Sequence, residues 1–399
     1  MSPAHLLRVL AALLVGPSEP VSAVEAHRAV SAVEAHGVVY HDRNSNGRRD
    51  TGEPGIRGAA VSNQDTVVLT NANGEYRMLA AGFGVVHVSV PNGWRANGAF
   101  WRRMSGDDAA SVDFPLIPSP LGDNVTFVHA SDTHISQTSV VRTERLRGLV
   151  DSIRPAFVIV TGDLVRDALR VGEKEATEYY ALFNAEAARF SQPLWTVPGN
   201  HEVFGIERKL SGVASDHPLY GRAMYRHFRG PDYYSFNAGG VHFVGLNSVD
   251  IDDMSYYGHI DSLQLAWLAR DLAVVPAATP VVTFNHIPFF SAVETINGFK
   301  DGPPAPSVIT VRGVSSFRHT VSNARDVLER VKGHPFPLAL GGHMHVRELL
   351  RYEGIATRFA QTAAVVGDTP GPGLTFPSGI MVYRVRRGVI DEGRFVRLN

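Results

Sequence analysis

The sequence predicts two folded units in tandem, a small all-β module over residues 37–118 and an α/β unit over residues 124–399. Three observations carry this reading. Short strand-like runs separated by turns at Asn73-Gly74 and Asn92-Gly93 fill the first unit. After Asn124 apolar runs alternate with amphipathic helical stretches, the pattern of sheet covered by helix. Between them lies a Pro-rich junction, PLIPSPLGDN at residues 115–124, with 119–123 as the expected linker. A chain of 399 residues has room for two or three such domains.

Ahead of the first unit, residues 1–36 read as a signal peptide and linker. Leu6 to Gly16 is apolar apart from Arg8 and too short to cross a bilayer as a helix. Pro17 and Pro20 end it, and Val21-Ser22-Ala23 offers a small-residue cleavage site. The expected location is secreted, periplasmic or cell-surface. No later segment has 18 consecutive apolar residues, so no transmembrane span is expected after cleavage. VSAVEAH occurs at residues 21–27 and again at 30–36, a duplication too short for a repeat architecture.

The all-β module opens with a twelve-residue loop of calcium-binding type. With Asp42 as position 1, Asn44 is 3, Asn46 is 5, Gly47 is 6, Arg48 is 7 through its carbonyl, Asp50 is 9 and Glu53 is 12. Alternate side-chain oxygens suit a hard cation, and a glycine at position 6 permits the sharp turn. GVVY, AAVS, TVVLT, GEYRML and VVHVSV surround it as strands rather than helices. The module therefore resembles the calcium-binding B-repeat domains of bacterial surface adhesins, which implies a small β-sandwich and a structural calcium ion that stiffens the loop.

Composition narrows the chemistry of the second unit. With no cysteine, thiol nucleophiles, disulfides and thiolate metal sites are excluded. A net charge of −1 shows no basic excess, so no nucleic-acid partner is expected. Any metal must be held by His, Asp, Glu or Asn, and the interest of the 17 histidines lies in where they fall.

In chain order, VTFVHA ends in Asp132-Thr133-His134, and VVRTERLRGLVDSIR is a helix. AFVIVTGDLV ends in Gly162-Asp163, and EKEATEYYALFNAEAARF is a helix. PLWTVPGNHE carries Asn200, His201 and Glu202; YYSFNAGGVHFVGLNS is a hairpin turning at Gly239-Gly240. DSLQLAWLARDL is a helix, PVVTFNHIPFF a strand ending near His286, SNARDVLERVKG a helix, and FPLALGGHMH a strand ending in His343 and His345. Residues 296–319 read as one long Gly/Pro-containing loop of the kind that forms binding surfaces. Five strands thus end in groups able to bind metal. Strand ends of one sheet share an edge, so these groups can meet. Their number exceeds the needs of one ion and suits two with a bridging carboxylate.

Asp132-x-His134, Gly162-Asp163, Gly199-Asn200-His201-Glu202, His286 and Gly342-His343-x-His345 in this order resemble the calcineurin-like metallophosphoesterase family. The resemblance implies a four-layer α/β/β/α sandwich in which SGIMVYRVRRGVIDEGRF completes the second sheet. It implies one metal ion on Asp132, His134 and His345, a second on Asn200, His286 and His343, and Asp163 between them. His201 would face the substrate as general acid while a hydroxide bridging the metals attacks phosphorus. Donors of N and O type suit Mn, Fe or Zn, divalent or trivalent. The substrate would be a phosphomonoester or phosphodiester, a small molecule or a cell-envelope component. Glu202 is a candidate to orient His201, and Arg166 to bind a phosphate oxygen. Arg166 stands where related purple acid phosphatases carry Tyr. Asp167 falls one place beyond the Asp typical of cyclic-nucleotide phosphodiesterases. The alternative reading is a non-catalytic binding or adhesion protein that uses the same fold as a docking surface; the oligomeric state is left open.

Overall fold

The computed structural model describes residues 34–79, 83–104, 111–119, 122–298 and 305–399. Nearly all of the expected signal peptide and linker, residues 120–121 of the junction and residues 299–304 of the long connection lie outside the described residues.

Two four-stranded sheets form the N-terminal module. One runs Glu75–Leu79, Glu34–His41, Phe114–Pro118, Trp94–Ala96; the other runs Val67–Leu69, Ala60–Ser62, Val85–Ser89, Trp101–Arg103. Period-two alternation turns Tyr76 and Met78 inward from Glu75–Leu79. They join Val39, Val61, Val86, Val88, Phe114 and Leu116 in the core. The Pro-rich junction starts inside a strand, with Phe114 opposite Val39 and Pro115 opposite Tyr40.

The α/β unit has two six-stranded mixed sheets. The first is ordered Leu194–Val197, Phe157–Thr161, Asn124–Ala130, Gly379–Arg386, Val389–Ile390, with Arg394–Arg397 also on Gly379–Arg386. The second is ordered Tyr234–Ala238, Val241–Gly245, Val281–Phe284, Leu338–Gly341, Arg358–Gln361, Glu348–Leu350. Helices Val140–Ile153 and Glu173–Ala187 connect the parallel strands of the first sheet. Helix Ser262–Ala273 leads to Val281–Phe284 and is capped by Asp261, whose side chain accepts from Gln264 N.

Three expectations are corrected. The five strands with polar ends are not edge-mates of one sheet: three lie in the first and two in the second. The C-terminal strands join the first sheet rather than completing the second, with Met381 opposite His129 and Tyr383 opposite Phe127. Gly379–Arg386 buries both faces over most of its length, so its pattern carries no mark of which sheet it joins. The connection 296–319 is not one loop, because Val308–Val311 and Val314–Phe317 pair as a hairpin.

Alternation along the first-sheet strands divides the core. Val128, Ala130, Val158 and Val160 pack with Leu146, Val150, Tyr180 and Phe183 of the helices. Phe127, Phe157 and Ile159 turn the other way, towards Phe236, Phe243 and Phe284 of the second sheet. The Phe157 ring lies 5.2 Å from Phe236, and Phe127 lies 5.5 Å from Phe243. Among the described residues no helix is long and apolar enough to cross a membrane.

The N-terminal module is built onto this core. Phe100 lies 4.8 Å from Trp195, which stacks on Phe236 at 3.9 Å. Buried polar groups join the two units. Gln64 donates to Asp232 Oδ1 and to the Tyr233 carbonyl, each at 3.0 Å, and the Tyr233 hydroxyl donates back to the Gln64 carbonyl at 2.6 Å. Asp232 also accepts from Arg226 Nε and Nη2 and from Asn247. Burial alone would raise its carboxyl, but the Arg226 guanidinium outweighs that and holds it below the usual carboxylate range. Asp232→Asn should therefore lower unfolding stability by about 3 kcal/mol near neutral pH, the cost of leaving a half-buried guanidinium unpaired beside a fully buried amide. A depressed carboxyl stabilises above its unfolded pKa of about 3.9. The gap to wild type should thus close as pH falls from there through the folded value. Denaturant melts at several pH values check this; a variant as stable as wild type at neutral pH would refute it.

A candidate metal centre at the strand ends

The backbone leaves the extended conformation as soon as these strands end. Asp132 (φ 56°), His134 (40°), Asp163 (48°), His343 (72°) and His345 (57°) are all left-handed, five of eleven such non-glycine residues among those described. Each costs of order 1–3 kcal/mol unless its surroundings impose it. Hydrogen bonds impose it here: Asp132 N to the Gly162 carbonyl at 3.1 Å, His134 N to the Asp163 carbonyl at 2.9 Å, and His343 N to Asp132 Oδ2 at 3.1 Å. The strain turns donors from two sheets into one space.

Glycine before a ligand follows from crowding. A Cβ on Gly199 would sit 2.2 Å from Asp163 Oδ1 and 2.3 Å from Asp163 N. On Gly162, at φ +78°, it would meet Gly199 N and His286 Nδ1, each at 2.7 Å.

The donors form two groups that share one residue. Asp132, His134, Asp163 and His345 bring ligand atoms within 4.8 Å of one another, and so do Asp163, His286 and His343. Asp163 Oδ2 lies 3.5 Å from His134 Nε2, and its Oδ1 lies 3.3 Å from His286 Nε2. Asn200 Oδ1 joins the second group, 3.1 Å from His286 Nε2. His134 Nε2 to His345 Nε2 and His286 Nε2 to His343 Nδ1 are each 3.1 Å. Two nitrogens each about 2.1 Å from one ion and at right angles would stand about 3 Å apart. Asp132 Oδ1 is buried with no well-formed hydrogen bond, only His345 Nε2 standing 3.2 Å away, a state that a cation between them would relieve. The residues therefore fit metal ions.

Electrostatics mark the site as a buried anionic pocket that favours positive charge. Burial opposes a charge on Asp163, yet His286, then His201 and His134, hold its carboxyl well below the usual range. Burial pushes His134 down to about 4, keeping its imidazole neutral and its lone pair available. Burial would also lower His286, but Asp163 beside it prevails and raises it to about 9. The His286 Nδ1 proton is given to the Thr161 carbonyl at 2.7 Å, which aims Nε2 at the centre.

His201 stands apart from the ligand set. Its backbone N donates to Asp163 Oδ1 at 3.0 Å, and its Nδ1 donates to the Arg166 carbonyl at 2.5 Å. A carbonyl only accepts, so Nδ1 keeps its proton and Nε2, partly exposed, lies on the ligand side, 3.9 Å from Asp163 Oδ2.

Glu202 does not orient His201, and that expectation is corrected. The Asn200–Glu202 turn sends the two side chains in different directions. Glu202 is fully buried and accepts from Val165 N at 2.9 Å and Gly199 N at 2.6 Å, tying the two ligand loops together. Burial, then Asp163, pushes its carboxyl up to about 8. The Arg166 guanidinium is exposed, with no ion-pair partner among the described residues; its contribution here is the carbonyl. Asp167 pairs with Arg170. His259 Nδ1 donates to Asp250 Oδ2 at 2.9 Å, away from the ligands. His319, the last residue of the connection 296–319, bonds His343.

The calcium-type loop is folded as an acceptor nest. Asp42 is buried and accepts from Asn46 N, Gly47 N and the Asn97 amide. Glu53 accepts from Arg43 N and Asp50 N, while the Asn44 and Asn46 amides donate to Asp50. Arg48 N donates to Asn46 Oδ1. Both convergent carboxylate–imidazole groups found among the described residues are at the strand ends, and neither includes this loop.

Carboxylates and imidazoles gathered at the ends of strands from two sheets define a metal-site hydrolase architecture. The sequence profile of the calcineurin-like phosphoesterases matches residues 125–347, more than half of the chain, which belongs to that family of phosphoester hydrolases. It is similar to a probable cyclic nucleotide phosphodiesterase of Rhodococcus erythropolis, 26% identical over 258 residues, 60% of this chain and 71% of the relative. It is also similar to purple acid phosphatase 23 of Arabidopsis thaliana, 27% identical over 247 residues, 53% of this chain and 50% of the relative. The serine/threonine-protein phosphatase CPPED1 of Bos taurus is 31% identical over 140 residues, 34% of this chain and 41% of the relative.

Gly199→Ala tests the crowding argument. The added methyl must displace Asp163, so we expect a folded protein that has lost most of its bound metal by elemental analysis. Full metal content would show that the loop has slack.

Proposed function

We propose that the chain is an exported phosphoesterase working with two transition-metal ions of Mn, Fe or Zn type. One observation carries this reading: the two oxygens of Asp163 reach different imidazole groups, His134 on one side and His286 on the other. Asp132, His134 and His345 would hold one ion, and Asn200, His286 and His343 the other, with Asp163 shared. When bound, such a pair neutralises phosphoryl oxygens and lowers the pKa of water towards about 7, so that a nucleophile exists at neutral pH.

The chain's own groups do the rest. Asp163 fixes the spacing of the two ligand sets. His201, held by the Arg166 carbonyl, presents Nε2 to the cleft and delivers a proton there to the departing alkoxide oxygen. The P–O bond breaks as that oxygen takes the proton, and His201 is left neutral. Exposed Arg166 is available to a phosphate oxygen. The ring contacts between the two sheets support the four-layer arrangement inferred from the family. The N-terminal module, of adhesin B-repeat type, would take a structural calcium ion on Asp42, Asn44, Asn46, Arg48, Asp50 and Glu53. Its shared core favours a scaffold over a loose spacer. The substrate is a phosphomonoester or phosphodiester from a small molecule or the cell envelope.

The test joins elemental analysis to hydrolysis of aryl and alkyl phosphate esters. Asp163→Asn should lose metal and activity together. His201→Ala should keep its metal and slow alkyl esters by roughly 10²–10⁴-fold. It should slow nitrophenyl esters far less, because nitrophenolate departs unprotonated. Equal loss on both ester types would reject the proton-donor role, and an active protein without transition metal would reject the reading itself.

A further inference from the structure

Neutral imidazole has one nitrogen that donates and one that accepts, so a metal ligand histidine works only if its proton is kept on the far nitrogen. For His286 the Thr161 carbonyl does this. For His343 the far nitrogen, Nε2, lies 2.7 Å from Nδ1 of another imidazole, His319. The two ring centroids lie 5.0 Å apart with 27° between the planes. His343 Nδ1 faces the other way, 3.1 Å from His286 Nε2.

We propose that His319 is a positioning residue of the metal centre: it accepts the His343 Nε2 proton and so turns the His343 Nδ1 lone pair towards His286 and Asn200. This rests on the two-ion reading of the same centre. Proton order is then determined along the row. His343 Nε2–H donates to His319 Nδ1, which leaves the His319 proton on Nε2, facing the Glu294 carboxylate at 4.0 Å. An imidazole in this place differs from the carboxylate or carbonyl that usually backs a ligand histidine.

The fold brings His319 there by main-chain bonds rather than by chance proximity of a flexible loop. Arg318 N donates to the Ser307 carbonyl at 2.9 Å, Gly258 N to the Arg318 carbonyl at 3.1 Å, and Ser322 N to the Gly258 carbonyl at 2.8 Å. Residues 318–322 are thus laced to strand Ser255–Gly258. A Cβ on Gly258 would fall 2.2 Å from the Thr320 carbonyl oxygen, so only glycine lets the segment lie so close. Arg318 is buried and lies over the Tyr256 ring at 4.2 Å, which anchors the residue before His319.

The experiment compares full-length wild type, His319→Leu and His319→Asn by zinc titration against a chromophoric chelator. His319→Leu, with no acceptor, should bind one of its two ions about 10–100-fold more weakly. The affinity for the other ion should stay unchanged. His319→Asn, whose Oδ1 can occupy the place of Nδ1, should restore most of that affinity, which a purely space-filling role would not. Metal-free melting temperatures establish that each variant is folded. Imidazole nitrogen NMR of zinc-loaded wild type adds a measurement that needs no variant and should find the His343 proton on Nε2. Wild-type affinity for both ions in His319→Leu, or a proton on His343 Nδ1, would overturn the proposal. A wild type that binds two ions but cleaves no phosphate ester would overturn the phosphoesterase reading and leave this one standing.

Discussion

One carboxylate, Asp163, has to reach imidazoles that arrive from two different sheets. His134 comes from the first sheet and His286 from the second, and Asp163 stands 3.5 and 3.3 Å from their Nε2 atoms. Two sheets can offer side chains to one point only if their strand ends are held at a set separation. The rings of Phe127, Phe157, Phe236 and Phe243 supply that separation, packing at 5.0–5.5 Å in stacked and edge-on pairs. Such contacts are rigid because interiors are close-packed and cannot deform gradually. The final approach is made by backbone, through glycines at positions 162 and 199 where a methyl would collide with Asp163, His286 or their neighbours.

The centre also concentrates unfavourable terms in a small volume. Five ligand residues have left-handed backbone, two ligand carboxylates are buried, and one oxygen of Asp132 has only His345 Nε2 beside it at 3.2 Å. Consistent packing elsewhere must offset these terms, and the pattern is that of a site where local stability yields to function. Glu202 is part of the compensation. Its two oxygens take the N–H groups of Val165 and Gly199, so the loops bearing Asp163 and Asn200 cannot separate without exposing an uncompensated buried carboxyl.

Much of this was legible in the sequence because each ligand follows an apolar run and a glycine or small turn, a signal written in side-chain types. Division of the strands between two sheets was not, since Val281–Phe284 and Phe157–Thr161 are alike apolar and buried on both faces. Sequence adjacency misled for Glu202, because on a tight turn neighbouring side chains diverge. The partners of His201 and His286 are the carbonyls of Arg166 and Thr161, and a carbonyl has no residue code. His319 closes the connection 296–319, but its relation to His343 was not legible, since it depends on a Gly258 that sits 61 positions before it in the chain.

The N-terminal module was read as a separate unit, and its docking was invisible for a related reason: Gln64, Phe100 and Ser62, whose Oγ accepts from Trp267 Nε1 at 3.1 Å, look like ordinary residues of a small β domain. In the structure they do more than attach it. Tyr234–Ala238 is an edge strand of the second sheet, and Val90 of the module bridges to Phe236 while Asn237 N donates to the Val90 carbonyl at 2.8 Å. An exposed edge that would otherwise invite pairing is thereby covered. Phe100 packs on Trp195, the second residue of strand Leu194–Val197, and Asn200 follows three residues beyond the strand's end. The module thus steadies the root of the strand whose tip carries Asn200 and His201, and the two units meet as parts of one core rather than as beads on a chain.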